Sequence, residues 1–377
     1  MTGPRSRAAR AGLYAGAFLG PFGGGLTVAM LPELGGSFGV SAGTAATSVT
    51  AYLLPFAAVM LVSGTLGERW GRRRTVVVAY GIYLLASLAC ALAWSWPVFV
   101  AARALQGVAN GFTTPLLLAA IGSAVAPERL GRALGWFGSL QALGQTSAPL
   151  LGGLAAEFDW RWAFGGIAVV AAVLAVVGIP SGTPAGAGAS LRSAWRPAVL
   201  RAGVVAAVGW GCLAGLNFLV ALRLEAEFGL GAGPRGLALT AFGVAGLLTA
   251  RLVGGGVDRI GAARSVRIGA GLGVLVVLAA GLAPAVGAVV AAWAVGGVAT
   301  QLVLVGVNAL VLTDAAGHHG GSISAVQAVR FGGGSLTPLA LTPVFAADPV
   351  LAFLLPALAL AVVVPAALPR GRPTVRT

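Results

Sequence analysis

Gly64-Thr-Leu-Gly-Glu68-Arg69-Trp-Gly71-Arg72-Arg73-Arg74 returns 190 residues later as Gly254-Gly-Gly-Val-Asp258-Arg259-Ile-Gly261-Ala-Ala-Arg264. The copies align position by position: Gly64 with Gly254, Glu68 with Asp258, Arg69 with Arg259, Gly71 with Gly261. Each follows a long apolar run. A charged glycine turn that recurs after half a chain length predicts two similar membrane halves, and that organisation points to transport.

Composition agrees. Of 377 residues, 58% are hydrophobic and only 9% charged, with mean hydropathy +0.93. Soluble domains carry about 25% charged residues. The 24 basic residues are all arginine. A net charge of +14 would suit nucleic acid, but these arginines sit in short loops between apolar segments, not on one soluble face, so no nucleic-acid partner is expected. Cys90 and Cys212 fall inside apolar runs and predict neither a disulfide nor a metal site. No cofactor is expected. Without lysine there is no Gly-x-x-x-x-Gly-Lys loop, so no P-loop in this chain drives transport. The basic N-terminus leads into a full-length apolar span, which reads as a retained first helix and not a cleaved signal.

A helix needs about 20 apolar residues to cross a bilayer. Twelve such runs are found, at 11–31, 44–66, 75–94, 98–122, 133–156, 162–180, 199–222, 236–256, 266–284, 286–312, 322–345 and 350–368. Of the 24 arginines, eighteen fall on one side of the resulting topology. Arg161, Arg223 and Arg235 fall on the other, and Arg103, Arg251 and Arg330 lie within spans. The positive-inside rule then puts both termini in the cytoplasm of a multi-pass protein of the plasma (bacterial cytoplasmic) membrane. The Gly/Ala/Ser/Pro-rich stretch 181–197 reads as a cytoplasmic linker. It separates an N-terminal six-helix bundle, 1–180, from a C-terminal one, 198–377, with a short basic tail. The fold class is an all-α membrane protein of twelve helices in two pseudo-symmetric bundles.

The turn at Gly64–Arg73 resembles the signature loop between helices two and three of the major facilitator superfamily, with Glu68 where the family has Asp. Arg103-Ala-Leu-Gln106-Gly107 resembles that family's Arg-x-x-Gln-Gly motif in helix four. Gly135-x8-Gly144-x3-Ala148-Pro149-x2-Gly152-Gly153 resembles the helix-five motif of its drug–proton antiporter branch, departing at Ala148. The segment Asp159–Phe164 resembles the same branch, and is equally what an aromatic belt at a membrane interface would contain.

Physical roles follow. An acid at one helix end can accept from the exposed N–H groups at another helix's start. Glu68 would meet helix eleven near Ser322. Asp258 would meet helix five near Glu128 and Arg132. Gly64, Arg69, Gly71, Arg72, Arg73, Arg259 and Gly261 complete these turns. Together they form a cytoplasmic latch that favours the outward-facing state. A guanidinium inside a span is costly and is normally paired or faces water; the resemblance gives Arg103, with Gln106, a part in coupling to protons. Gly135, Gly144, Gly152 and Gly153 make a smooth helix face, and Pro149 removes a backbone hydrogen bond and bends the helix. Gly12, Gly16, Gly20 and Gly24 form a packing ridge. Tyr52, Asn110, Asn217, Asn308 and Arg330 are the expected substrate-cavity residues, because transporters bind at the midplane between repeats. Other intramembrane polar residues are Gln141, Gln145, Gln301 and Gln327.

No Asp or Glu sits at mid-membrane, which weakens the case for a buried proton carrier. Glu33 and Glu225 are the nearest substitutes. The chain therefore reads as a secondary transporter, not an enzyme, working as a monomer in the bilayer. It is expected to export small, fairly hydrophobic drugs or metabolites, with protons as the exchanged ion. The competing reading is a uniporter or importer of organic anions, sugars or other metabolites, favoured by intramembrane arginines without an opposing acid. A non-transporting membrane sensor on the same fold is a third.

Overall fold

The computed structural model describes residues 4–125, 127–179, 196–314 and 319–368. These residues form fourteen α-helices, with no strand among them. In the first half they are α1 (Pro4–Gly25), α2 (Leu31–Phe38), α3 (Ala42–Trp70), α4 (Arg72–Ala91), α5 (Trp96–Ala124), α6 (Pro127–Ala156) and α7 (Arg161–Val177). The second half holds α8 (Pro197–Gly211), α9 (Asn217–Ala226), α10 (Ala232–Ile260), α11 (Ala262–Leu282), α12 (Val286–Asp314), α13 (His319–Ala347) and α14 (Pro349–Ala367).

The first rod of each half is broken. A 3₁₀ segment, Leu26–Met30, joins α1 to α2 where Gly23, Gly24 and Gly25 run together. A second, Ala214–Leu216, joins α8 to α9 after Gly211. Counting each broken pair as one rod leaves the twelve expected crossings. Nine segments among the described residues are long and apolar enough to span a membrane. The expected linker, 181–197, lies almost wholly outside the described residues, as do the side chains of Glu68, Glu128, Asp314 and Ser322.

Duplication is visible in the helix bounds. Shifting α3 by 190 residues gives α10, and shifting α5 gives α12, end for end. Packing repeats too. In the first half α3 packs on α5, α1 on α6, and α4 on both α5 and α7; the second half pairs α10 with α12, α8 with α13, and α11 with both α12 and α14. The halves meet along α3–α13 and α6–α10, two seams exchanged by the same two-fold relation.

Gly71 and Gly261, the matched turn glycines, both adopt positive φ, +88° and +85°. At 29 residues, α3 and α10 run about 44 Å at 1.5 Å per residue. That exceeds the roughly 30 Å hydrocarbon layer, so their ends and these turns reach the headgroups. There each long helix reverses in one residue, at a φ that side chains avoid. Gly71→Ala and Gly261→Ala should therefore each destabilise by about 1–3 kcal/mol. Gly81→Ala, in open space within α4, should be neutral or stabilising. Thermal unfolding in detergent checks this; equal midpoints for all three variants would refute it.

The predicted ridge on α1 packs inward: an added β-carbon at Gly16, Gly20 or Gly24 would meet Tyr80, Asn110 or Tyr52. The aromatic segment divides. Trp162 is 74% exposed, as an interfacial belt requires. Trp160 instead turns inward, donating Nε1–H to Ser37 Oγ at 2.9 Å and packing against Phe38, Phe99 and Phe164.

Candidate substrate cavity and gate

Between the halves lies a cavity of about 240 Å³. Both broken rods reach it: Gly24 and Gly25 from the first, and Ala214, Gly215 and Asn217 from the second. Interrupted helices at the repeat interface are where transporter sites form, because backbone groups freed by the break face the lumen. Tyr52, Asn110, Asn217 and Arg330 line it. Asn308, half-buried on α12, is not among the lining residues. Thr114, Gln141, Gln145 and Gln327 are, and the walls are otherwise apolar and aromatic, with Phe56, Trp210, Phe218 and Phe331.

Several lining side chains are already engaged. Tyr52 donates its hydroxyl to the Gly20 carbonyl at 3.0 Å. Asn217 Oδ1 accepts from Trp293 Nε1 at 2.8 Å, and Asn110 Oδ1 from Thr113 Oγ1 at 2.9 Å. Arg330 is different. It is 8% exposed, its Nε has no partner, and its guanidinium rests over the rings of Phe331 (4.3 Å) and Trp210 (5.7 Å).

Arg103 does not line the cavity. It is fully buried behind Tyr52, with its guanidinium 4.4 Å from that ring. Nη1–H donates to the Gly23 carbonyl (3.0 Å) and to Gln106 Oε1 (2.7 Å), and Gln106 Nε2–H donates on to Ser87 Oγ (2.8 Å). This network ties α5 to α4 and to the glycine-rich end of α1. No described carboxylate pairs with Arg103.

The described hydrogen bonds between halves all lie at the end away from the arginine-rich turns. Thr50 bonds the Ser335 carbonyl on the α3–α13 seam. On the α6–α10 seam Arg235, fully buried, ties the halves together. Its Nη2–H groups donate to both Glu33 oxygens at 2.8 and 2.6 Å, and its Nε–H donates to the Ala29 carbonyl at 2.8 Å. Nη1–H anchors it to the Leu230 carbonyl at 2.9 Å. Beside it, Glu157 Oε1 accepts the Gly233 N–H at 2.6 Å. That N–H belongs to the first turn of α10, whose amides have no partner within the helix, at the positive end of the helix dipole. Here the helices touch backbone to backbone: an added β-carbon at Gly153 would strike the Ala232 carbonyl, and one at Gly236 the Pro149 carbonyl.

At the opposite end no hydrogen bond between the halves is found among the described residues. β-Carbons added at Gly64, Gly135, Gly138, Gly254, Gly255 or Gly256 would meet nothing within 4 Å. Of the predicted latch, Arg69, Asp258 and Arg259 are exposed, and Asp258 has no ion-pair partner among the described residues. Arg72 turns onto α5, donating to the Ala119 carbonyl (3.0 Å) and Ser123 Oγ (2.7 Å). In the helix-five motif Gly144 and Gly152 lie against the Phe18 and Leu26 carbonyls, Gly153 faces α10, and Gly135 faces open space.

Two outer-side assignments need correction. Arg235 and Arg223 are not loop charges but buried helix residues. Arg223 spans from α9 to the Ala280 and Ala283 carbonyls and pairs with Glu227 at 2.8 Å.

The sequence profile of the Major Facilitator Superfamily matches residues 13–338. The chain belongs to the Major Facilitator Superfamily. Within the superfamily it is 33% identical over 141 residues to the uncharacterized MFS-type transporter EfpA of Mycobacterium tuberculosis, covering 37% of this chain and 26% of that protein. It is 33% identical over 152 residues to the multidrug resistance protein B homolog of the same organism (39% and 28% covered). The chain thus spans about a quarter of the length of these curated relatives. Among solved structures, the D-xylose–proton symporter superposes with TM-score 0.76 at 15% identity, over 96% of this chain and 98% of that one. The human organic anion transporter MFSD10 superposes with TM-score 0.70 at 17% identity, over 97% and 100%. Membership explains the twelve rods and the interface cavity.

Proposed function

We propose that this chain exports small, fairly hydrophobic compounds from the cytoplasm by alternating access, in exchange for protons. The observation that carries the reading is the interface cavity sealed at one end and, among the described residues, unbridged at the other. The arginine bias assigns the unbridged end to the cytoplasm, so the conformation is inward-facing, ready to load from inside. The exposed Asp258 fits this state, since the cytoplasmic latch would form only when that end closes. Relatives carrying multidrug and efflux names support export.

Proton exchange rests on the seal. Glu33 and Glu157 both bridge the halves there, so a proton arriving from outside on either carboxylate would weaken closure and favour the outward state. With no carboxylate lining the cavity among the described residues, the carrier acids belong to the gate and not to the substrate site. The latch remains part of the proposal, as does the division into bundles at 1–180 and 198–377.

Reconstituted vesicles loaded with a small panel of amphipathic compounds test the reading. Efflux should rise several-fold under a pH gradient acid on the receiving side, and Glu68→Gln should slow it at unchanged abundance. Equal rates with and without the gradient would remove proton exchange; no flux of any compound would remove transport.

A further inference from the structure

Resting on the transport reading above, we propose that the cavity binds amphipathic organic anions, with Arg330 as the anion subsite. Arg330 lines the cavity, is more than nine-tenths buried and has no carboxylate partner among the described residues. The faces of Phe331 and Trp210 hold the guanidinium flat but leave its charge uncompensated. A buried, unpaired cation is a costly arrangement, and it is relieved when a ligand supplies the anion. The planar fork suits carboxylate or sulfonate.

Gln327 stands three residues earlier on α13, hence on the same helix face. It also lines the cavity, and its Oε1 is likewise without a partner. The pair offers a cationic fork for the anion and an amide for a neighbouring hydroxyl or N–H. Phe56 and Phe218 supply an apolar wall for a flat body. Among the described residues no Asp or Glu lines the cavity, so a cationic ligand would bring a second positive charge beside Arg330 with no described carboxylate to offset either.

Three probes with one bicyclic body separate the possibilities: naphthalene-2-sulfonate, the neutral naphthalene-2-sulfonamide, and 2-naphthylmethylammonium. Binding to the purified full chain in nanodiscs is read by calorimetry and by tryptophan quenching, which Trp210 beside Arg330 makes responsive. The sulfonate should bind at least ten-fold tighter than the sulfonamide, and the ammonium weakest. Arg330→Gln should lose that ten-fold for the sulfonate while sulfonamide affinity stays within two-fold; Arg330→Lys should keep most of the preference. Because Arg330 has no ion pair to lose, Arg330→Gln should melt no lower than the parent. The proposal is overturned if Arg330→Gln leaves the preference intact, if the ammonium binds as tightly as the sulfonate, or if no probe binds. The same probes are also loaded into reconstituted vesicles, where flux of all three without preference would sink the subsite and keep the transport reading. Selective sulfonate binding with no flux would keep the subsite and sink the transport reading.

Discussion

Arg235→Ala should unseal the outer end of the protein. Arg235 is fully buried and donates to four acceptor atoms, three of them on the opposite half. Removing one partner of a buried ion pair costs about 3–5 kcal/mol, and because the Glu33 side chain is 28% exposed the lower end of that range applies. Here that cost falls on the sealed state alone: once the halves part, Glu33 returns to water. At 1.36 kcal/mol per ten-fold, the balance moves towards outward-open by on the order of a hundred-fold or more. The measurement is labelling of Ser335→Cys, a residue on the α3–α13 seam, by a membrane-impermeant maleimide added outside, in a Cys90→Ser, Cys212→Ser background. Labelling should rise steeply in the Arg235→Ala protein. Labelling that stays at the parent rate would mean the pair does not hold the gate.

Gly153→Val reaches a similar end by steric means, and its effect on transport should be larger. The facing atoms are main-chain carbonyls, of Ala232 against Gly153 and of Pro149 against Gly236. A flexible side chain could swing away from an added methyl; a helix backbone cannot. Valine at 153 forces α6 and α10 apart and denies Glu157 its reach to Gly233. Efflux should fall to background while the protein still reaches the membrane. Gly166→Val, at a site with open space around it, is the matched control and should transport normally. Parent-level efflux in Gly153→Val would show that the seam has slack.

The fold was largely legible because membrane crossings are written locally. Twenty apolar residues, a turn, and arginines on one side suffice, and the matched glycines at 71 and 261 carried the duplication through to backbone reversals at nearly the same positive φ. The breaks in the first and seventh rods were harder. Glycine clusters at 23–25 and at 209 and 211 were present, but membrane helices tolerate glycine, and only packing against the cavity distinguishes a break from a bend. The gate was missed for a different reason. Arg235 lies one residue before the apolar run that defines its span, so it counted as a loop charge, and its partner is 202 residues away. Nothing local announces such a pair. For the cavity, polar residues inside apolar runs were a usable signal for Tyr52, Asn110, Asn217 and Arg330. Asn308 shows its limit, since the same signal cannot tell which face of a helix a residue occupies. Trp210 and Phe331 had no signal, being two aromatics among many.

The sealed end also has an electrical meaning. In the proposed inward-facing orientation, a cavity open to the cytoplasm shares the cytoplasmic potential, so almost the whole membrane voltage drops across the thin plug around Arg235, Glu157 and Gly153. Binding from inside is then insensitive to voltage. The field is crossed when the plug re-forms on the other side of Arg330, and each net charge carried through that change is worth about 2.3 kcal/mol per 100 mV. Current should accompany the conformational step and not the binding step.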